Sequence, residues 1–240
     1  DANCAGTKKG KDCTIIFCEG DSAKAGIMSG LTTEDRNGVG IYPMRGKLFN
    51  VRGESRTKIH DNKEISEIKQ ILGLVTGKEY KTQEDVNKSL RYGKILFMTD
   101  QDLDGSHIKG LCINMFQSQW NELIKIDSFL GFMNTPILKA RKGKKEVVFY
   151  NEKEYDDWKQ KNNGGKGWTI KYYKGLGTST SKEFKEYFAN KKVITFKCGE
   201  NCDDSIDKVF NKKRADDRKT WLENYDKGIT LDTEMKEISY

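Results

Sequence analysis

Histidine is nearly absent from this chain, with His60 and His107 the only two among 240 residues. No second Cys/His pair stands near Cys198 and Cys202, so the four-ligand set of a structural zinc site cannot be assembled from sequence neighbours. No apolar run reaches the roughly 18 to 20 residues a membrane span needs, and the N-terminus lacks a signal-peptide pattern. Internal repeats and low-complexity tracts are missing. So is any glycine-rich loop that would cradle a nucleotide's phosphates, which leaves the chain without an ATPase motif of its own.

What is present suits a soluble globular protein. Charged residues make up 33% and hydrophobic residues 35% of the chain, enough length and apolar content for one large domain or two small ones with a real core. The formal charge of +7 comes from 43 basic against 36 acidic residues, and it favours a polyanionic partner without establishing one. The compact positive runs are Lys139 to Lys145 and Lys212 to Arg214; each alone reads first as a solvated loop. Cys13 and Cys18 bracket an apolar run and are expected to be buried as small hydrophobes. The six cysteines as a set suit a reducing intracellular compartment. The first and last residues, Asp1 and Tyr240, read as cuts inside a longer chain.

Cys13-Thr-Ile-Ile-Phe-Cys18 is predicted to be a buried strand, and Glu19 to Gly26 a turn entering a helix with Asp21 or Ser22 at its N-cap. Residues 32–53 are expected to form an extended loop, and Glu64 to Leu72 a helix. A second buried strand is expected at Lys94 to Met98, followed by the turn Thr99 to Gly105 and an amphipathic helix from about Ser106 to Ile124. Strand, loop and helix occurring twice predict a parallel sheet covered by helices. Beyond residue 133 the pattern changes to short strands (136–140, 147–150, 169–173, 193–197) among polar helices, including 203–210 and 214–225, with a flexible loop at 162–167.

Asp100, Asp102 and Asp104 alternate just past the end of the second strand. Three carboxylates this close repel one another and call for a cation or basic neighbours. Hard oxygen donors on a tight turn suit Mg²⁺, which takes one or two carboxylates with water and phosphate oxygens. The run also matches the first half of an EF-hand loop, but the twelfth position is Leu111 instead of the required Glu, and a strand precedes it. Glu19 ends the other predicted strand. Neighbouring parallel strands bring their carboxyl ends together, so Glu19 is expected to face Asp100 and Asp102 across roughly 80 residues of sequence.

A strand ending in Glu-Gly-Asp-Ser-Ala (19–23) with a later strand ending in Asp-x-Asp-x-Asp-Gly (100–105) resembles the Toprim fold of topoisomerases, bacterial-type primases and some nucleases. Tyr42 to Val51 (YPMRGKLFNV), Arg91-Tyr92-Gly93 and Tyr172 to Ser179 (YYKGLGTS) narrow the resemblance to type IIA DNA topoisomerases. The Asp-Gln-Asp turn with Gly105 to Leu111 resembles the eukaryotic-type and large-virus enzymes more than gyrase. Met44 and Phe49 depart from the usual residues and read as packing changes.

The resemblance implies an α/β fold: a Rossmann-like parallel sheet flanked by helices with a smaller C-terminal α+β extension, divided as 1–135, 136–225 and a linker start at 226–240. It implies that Glu19 and Asp100 hold one Mg²⁺ and Asp100 with Asp102 a second, with Asp104 supporting the turn or a metal-bound water. Arg45 and Lys47 would stabilise charge at the scissile phosphate, and Lys47, Asn50, Lys174 and His107 would contact double-stranded DNA. The attacking tyrosine would belong to a winged-helix domain of the partner subunit in a homodimer; Tyr92 would not be the nucleophile. ATP would bind through a module outside this segment. The implied location is the nucleus or a viral factory, and the segment alone is expected to be an inactive monomer. Two rivals remain open at this point: a Toprim nuclease or primase using metal alone, and a non-catalytic DNA-binding module whose acids are structural.

Overall fold

The computed structural model describes residues 1–224 and the strand at 237–239. Its main sheet has the order β2-β1-β3-β4-β8-β9. These are β1 (Thr14–Glu19), β2 (Val39–Met44), β3 (Lys94–Met98), β4 (Leu130–Met133), β8 (Val193–Lys197) and β9 (Glu237–Ser239). The first four strands run parallel, β8 is antiparallel to β4, and β9 is parallel to β8. A second, antiparallel sheet has the order β6-β5-β7, from β5 (Leu138–Lys142), β6 (Lys145–Phe149) and β7 (Thr169–Tyr172).

Eleven α-helices follow in chain order among the described residues. They are α1 (Gly20–Gly30), α2 (Asp35–Gly38), α3 (Arg56–His60), α4 (Lys63–Leu72), α5 (Gln83–Ser89), α6 (Leu103–Gln119), α7 (Asn121–Ile124), α8 (Glu152–Lys161), α9 (Ser181–Ala189), α10 (Cys202–Phe210) and α11 (Ala215–Glu223).

The continuous apolar runs of β1 and β3 are explained by burial on both faces, as parallel central strands require. Phe17, Phe97 and Phe132 point to one side, into a core shared with Ile65 and Ile68 of α4 and Ile108, Cys112 and Phe116 of α6. Ile16, Cys18, Leu96 and Met98 point to the other, against Ala23 and Ile27 of α1 and Phe184, Tyr187 and Phe188 of α9. Helices α1 and α9 approach closely because α1 carries Gly26, where a Cβ would sit 2.5 Å from the Phe184 ring. The second sheet has its own small core of Leu138, Ala140, Phe149 and Tyr155, joined by Trp158 and Trp168.

Several local expectations change. The loop expected over 32–53 contains α2 and β2. β2 reads poorly as a strand because it carries Gly40 and Pro43. As the edge strand it tolerates a proline, and Gly40 is needed because a Cβ there would lie within 3.0 Å of Tyr92 and the Ala2 backbone. Helix α6 begins at Leu103, earlier than Ser106, because Asp102 caps it by accepting from Gly105 N–H at 2.7 Å. It ends at Gln119, where Trp120 leaves helical geometry (φ −146°, ψ 66°) and α7 starts afresh. Helix α1 starts directly at Gly20 with Glu19, not Asp21 or Ser22, at the N-cap. The helix expected at 214–225 is α11, preceded by a 3₁₀ turn at Lys212–Arg214; Tyr225 and most of the expected linker lie outside the described residues.

Cys13 and Cys18 are buried as expected. Cys198 and Cys202, which the composition placed among reduced thiols, are joined to each other in a disulfide with their Cα atoms 5.5 Å apart. The turn into α10 folds an i, i+4 pair back to a separation that a disulfide spans.

Candidate active site

Strand register brings the acidic residues to one rim. Cys18 of β1 lies opposite Met98 of β3, so Glu19 is level with Thr99 and one residue from Asp100. Glu19 occupies the N-cap position of α1 but makes no side-chain cap bond, so its carboxylate is not spent on the helix. Burial first, then the fields of Asp100, Asp102 and Asp104, push its pKa above the ordinary glutamate value, with Lys47 opposing. Residues 81 positions apart thus feel one another's charge.

Each aspartate on the turn has a distinct neighbour. Asp100 Oδ1 accepts from the Leu176 N–H at 2.7 Å. This bond is possible because Gly175 precedes Leu176: a Cβ there would lie 2.5 Å from Asp100 Oδ2. Asp102 caps α6 with Oδ1. Asp104 is exposed and pairs with Lys47 at 2.8 Å, and that lysine, with His107 further off, holds its carboxyl below the usual range. Gly105 closes the turn, since a Cβ would meet the Asp100 carbonyl oxygen at 2.1 Å. Asp100 Oδ2 and Asp102 Oδ2 meet no donor among the described residues, and Glu19 keeps both oxygens.

Among the described residues, no three His, Cys, Asp or Glu side chains converge into a cage that could hold an ion by itself. Magnesium does not need one, since it takes one or two carboxylates and completes its shell with water and substrate oxygens. The donor set is all oxygen, and the charge repulsion on Glu19 is the kind a divalent cation relieves, so these residues fit that group.

The remaining expected residues divide. Arg45 follows β2, with its backbone N–H on Glu64 at 2.9 Å and its guanidinium 3.6 Å from Glu67. Lys47 lies on the same loop beside Asp104. Lys174 and His107 are exposed at the rim, and His107 lines a groove of about 410 Å³ with Leu48, Lys212 and Arg218. Asn50 is turned inward: it donates to the Phe210 carbonyl at 2.9 Å and accepts from Asn114 at 3.0 Å and from Arg52 N–H at 3.1 Å.

Sequence reasoning missed the residues that support this rim. Arg52 donates from Nε to Asn114 Oδ1 at 3.0 Å and from a terminal nitrogen to Gln117, and sits 3.7 Å from Asp207. Asn114 is fully buried on α6; a polar residue in an otherwise apolar helix face was the available signal. Lys109, also on α6, holds its ammonium 5.5 Å above the Phe132 ring. Burial pushes its pKa down while Asp102 opposes. The Gly175–Leu176 clamp was hidden inside a motif that suggested only a DNA contact by Lys174.

An open, mostly parallel sheet with Glu19 and an aspartate turn at adjoining strand ends defines the Toprim class of domain. A family model described as the Toprim domain matches residues 14–129, and one described as the C-terminal associated domain of Toprim matches residues 133–240. DNA topoisomerase 2 of Plasmodium falciparum is 48% identical over 244 residues, covering 100% of this chain and 17% of the relative. DNA topoisomerase 2-alpha of Rattus norvegicus is 51% identical over 228 residues, covering 94% of this chain and 15% of that protein. The solved DNA-binding, cleavage and re-ligation domain of Plasmodium falciparum topoisomerase II superposes with a TM-score of 0.93 at 47% identity, over 100% of this chain and 33% of that one. The chain belongs to the Toprim family and is homologous to the cleavage and re-ligation region of eukaryotic type II DNA topoisomerases. It spans about a sixth of the length of the relatives it matches.

Proposed function

We propose that this chain is the magnesium-binding half of a DNA cleavage and re-ligation centre, in an enzyme that passes one duplex through a transient break in another. The observation that carries the reading is the rim itself. Glu19 and the Asp100–Asp102 turn arrive from two strands, each with at least one carboxylate oxygen unspent, while the glycine at 175 leaves out the side chain that would press on Asp100 Oδ2 and the glycine at 105 lets the turn close. A purely structural acidic cluster would be ion-paired throughout; here the ion pairing reaches only Asp104, and the bonds to Asp100 and Asp102 come from backbone N–H groups that leave one oxygen of each free.

Glu19, Asp100 and Asp102 would hold Mg²⁺, with Asp104 behind them orienting Lys47. A bound divalent ion would supply positive charge to a phosphate and to the oxygen leaving it. Leu176 N–H fixes Asp100 in place. Lys47 and Arg45, on the loop after β2, add cationic charge where a phosphate would lie. Lys174 and His107 present cationic or hydrogen-bonding tips to a DNA backbone. Among the described residues no helix is long and apolar enough to cross a membrane. Double-stranded DNA, a tyrosine-bearing winged-helix domain of a partner subunit, a homodimer, ATP through another module, and a nuclear location complete the reading.

The test is a hybrid in which this chain replaces its counterpart in the Plasmodium falciparum cleavage and re-ligation domain. Covalent protein–DNA adducts should form with Mg²⁺ and disappear in Glu19→Ala and Asp100→Ala. Adducts that persist in both variants would make the acids structural. Nicking of supercoiled DNA by the chain alone would favour a metal-only nuclease.

A further inference from the structure

The β5–β6 hairpin carries a cationic tip that the rim does not use. Its two-residue turn, Gly143-Lys144, joins Lys142 to Lys145, and these two lysines are direct partners across the ladder. Lys142, Lys144 and Lys145 are exposed, as is Lys166 on the neighbouring glycine loop. Lys142 Nζ hangs 3.6 Å from where a Cβ on Gly167 would be, which draws that loop into the same patch. None of these four ammonium groups has a carboxylate partner among the described residues, whereas the stem of the hairpin is fully paired. There Lys139 binds Glu186 at 3.0 Å and Glu146 at 3.4 Å, Arg141 binds Glu146 at 2.5 Å, and on β7 Lys171 binds Glu183 at 2.8 Å.

Like charges directly opposite in an antiparallel pair destabilise the free hairpin. Nothing among the described residues offsets Lys142 against Lys145, so the arrangement serves the folded state poorly and an external anion well. The sheet's other end is at the active rim: Leu138 pairs with Tyr172, and two residues beyond Tyr172 lies Lys174, just ahead of the Gly175–Leu176 clamp on Asp100. Four residue steps of strand separate that end from the tip, about 13 Å. That is about four base-pair steps along a duplex. The tip carries lysines without aromatic side chains, a composition suited to a phosphate backbone and not to stacked single-stranded bases.

We propose that the tip of the β5–β6 hairpin, through Lys142, Lys144 and Lys145 with Lys166 beside them, is a second phosphate-binding surface that grips duplex DNA away from the acidic turn. This rests on the reading of the chain as a DNA-cleavage module, but it uses none of the residues assigned to cleavage. It adds affinity without sequence preference, and its contribution is ionic, so it weakens with salt.

Binding of a fluorescent 30-base-pair duplex to the chain, followed by anisotropy in EDTA across a salt series, reads this surface without any metal. The variant Lys142→Ala/Lys144→Ala/Lys145→Ala should reduce the slope of log affinity against log salt by about 2 to 3, near 0.9 for each phosphate no longer neutralised. A control with the same charge change just ahead of β1 of the main sheet, Lys8→Ala/Lys9→Ala/Lys11→Ala, should change it by less than about 1. Equal slopes in the two variants, or no duplex binding by the unmodified chain, would overturn the proposal. So would lysine-dependent binding of poly-glutamate as tight as that of the duplex, which would assign the tip to an acidic protein. Lys145→Thr should melt no lower than the parent; a lower midpoint would mark the lysines as structural. Adduct formation by the hybrid, lost in Glu19→Ala, can stand or fall separately, so the two readings fail independently.

Discussion

Two polar clusters meet helix α6, and they are built on opposite terms. At its N-terminus, Glu19, Asp100 and Asp102 crowd negative charge, and among the described residues none of the three is in an ion pair. Three to four turns along, Arg52 is enclosed by Asn114, Gln117 and Asp207, while Asn50 and Asp203 complete the hydrogen bonds of the same group. The second cluster satisfies itself and so holds the 48–52 segment against α6 and α10. The first is left with uncompensated negative charge, which a magnesium ion would offset. Stability belongs to the closed cluster, while the open one is where the proposed metal chemistry would lie.

The largest expected effect breaks the closed cluster. Arg52→Ala leaves Asp207, Asn114 and Gln117 without their buried donor and should cost about 3 kcal/mol, read as a fall of about 5–10 °C in melting temperature. If the fall is under a degree, the cluster is not what anchors the segment. Next comes the clamp on the open cluster. Gly175→Ala would drive a methyl into the Asp100 carboxylate and should weaken Mg²⁺ binding by calorimetry about tenfold or more, as disturbing the group that supports a metal ligand does. Unchanged affinity would release Asp100 from the clamp's control.

The smallest effect sharpens the contrast by its sign. Glu19 has its pKa raised in the fold, so the protonated form is favoured there, and its ionisation costs stability as pH rises from the ordinary value of 4.5 through the raised one. Glu19→Gln should therefore melt about 2 °C higher than the parent at neutral pH without metal, and identically at pH below about 4. It should also lose the stabilisation that added Mg²⁺ gives the parent. A variant that melts lower at neutral pH would show Glu19 to be a structural acid after all.

Much of this was legible in residue order. The apolar runs at 13–18 and 94–98 announced two buried parallel strands, and the acidic residues directly after them announced the rim. Strand β2 was not legible, because Gly40 and Pro43 mask it and only its place at the sheet edge makes both acceptable. The break at Trp120 was not legible either, since the apolar spacing continues through it while the backbone does not. The bonds that tie Asn50 to Phe210 and Asn114 were not legible, since those partners lie 160 and 64 positions away.

By itself, the sequence determined which segments are buried, where carboxylates follow strands, and that glycines sit at 105 and 175. These are properties of periodicity, local sterics and residue type, carried within a few residues. The strand pattern already pointed Glu19 at Asp100, but tertiary structure alone decided that Leu176 N–H holds Asp100 and that Arg52 closes on Asn114 and Asp207. It also decided which lysines find carboxylates and which, at the hairpin tip, do not. Pairings of that kind depend on strand register and helix packing between residues as much as 160 positions apart, and a linear pattern carries no signal for them.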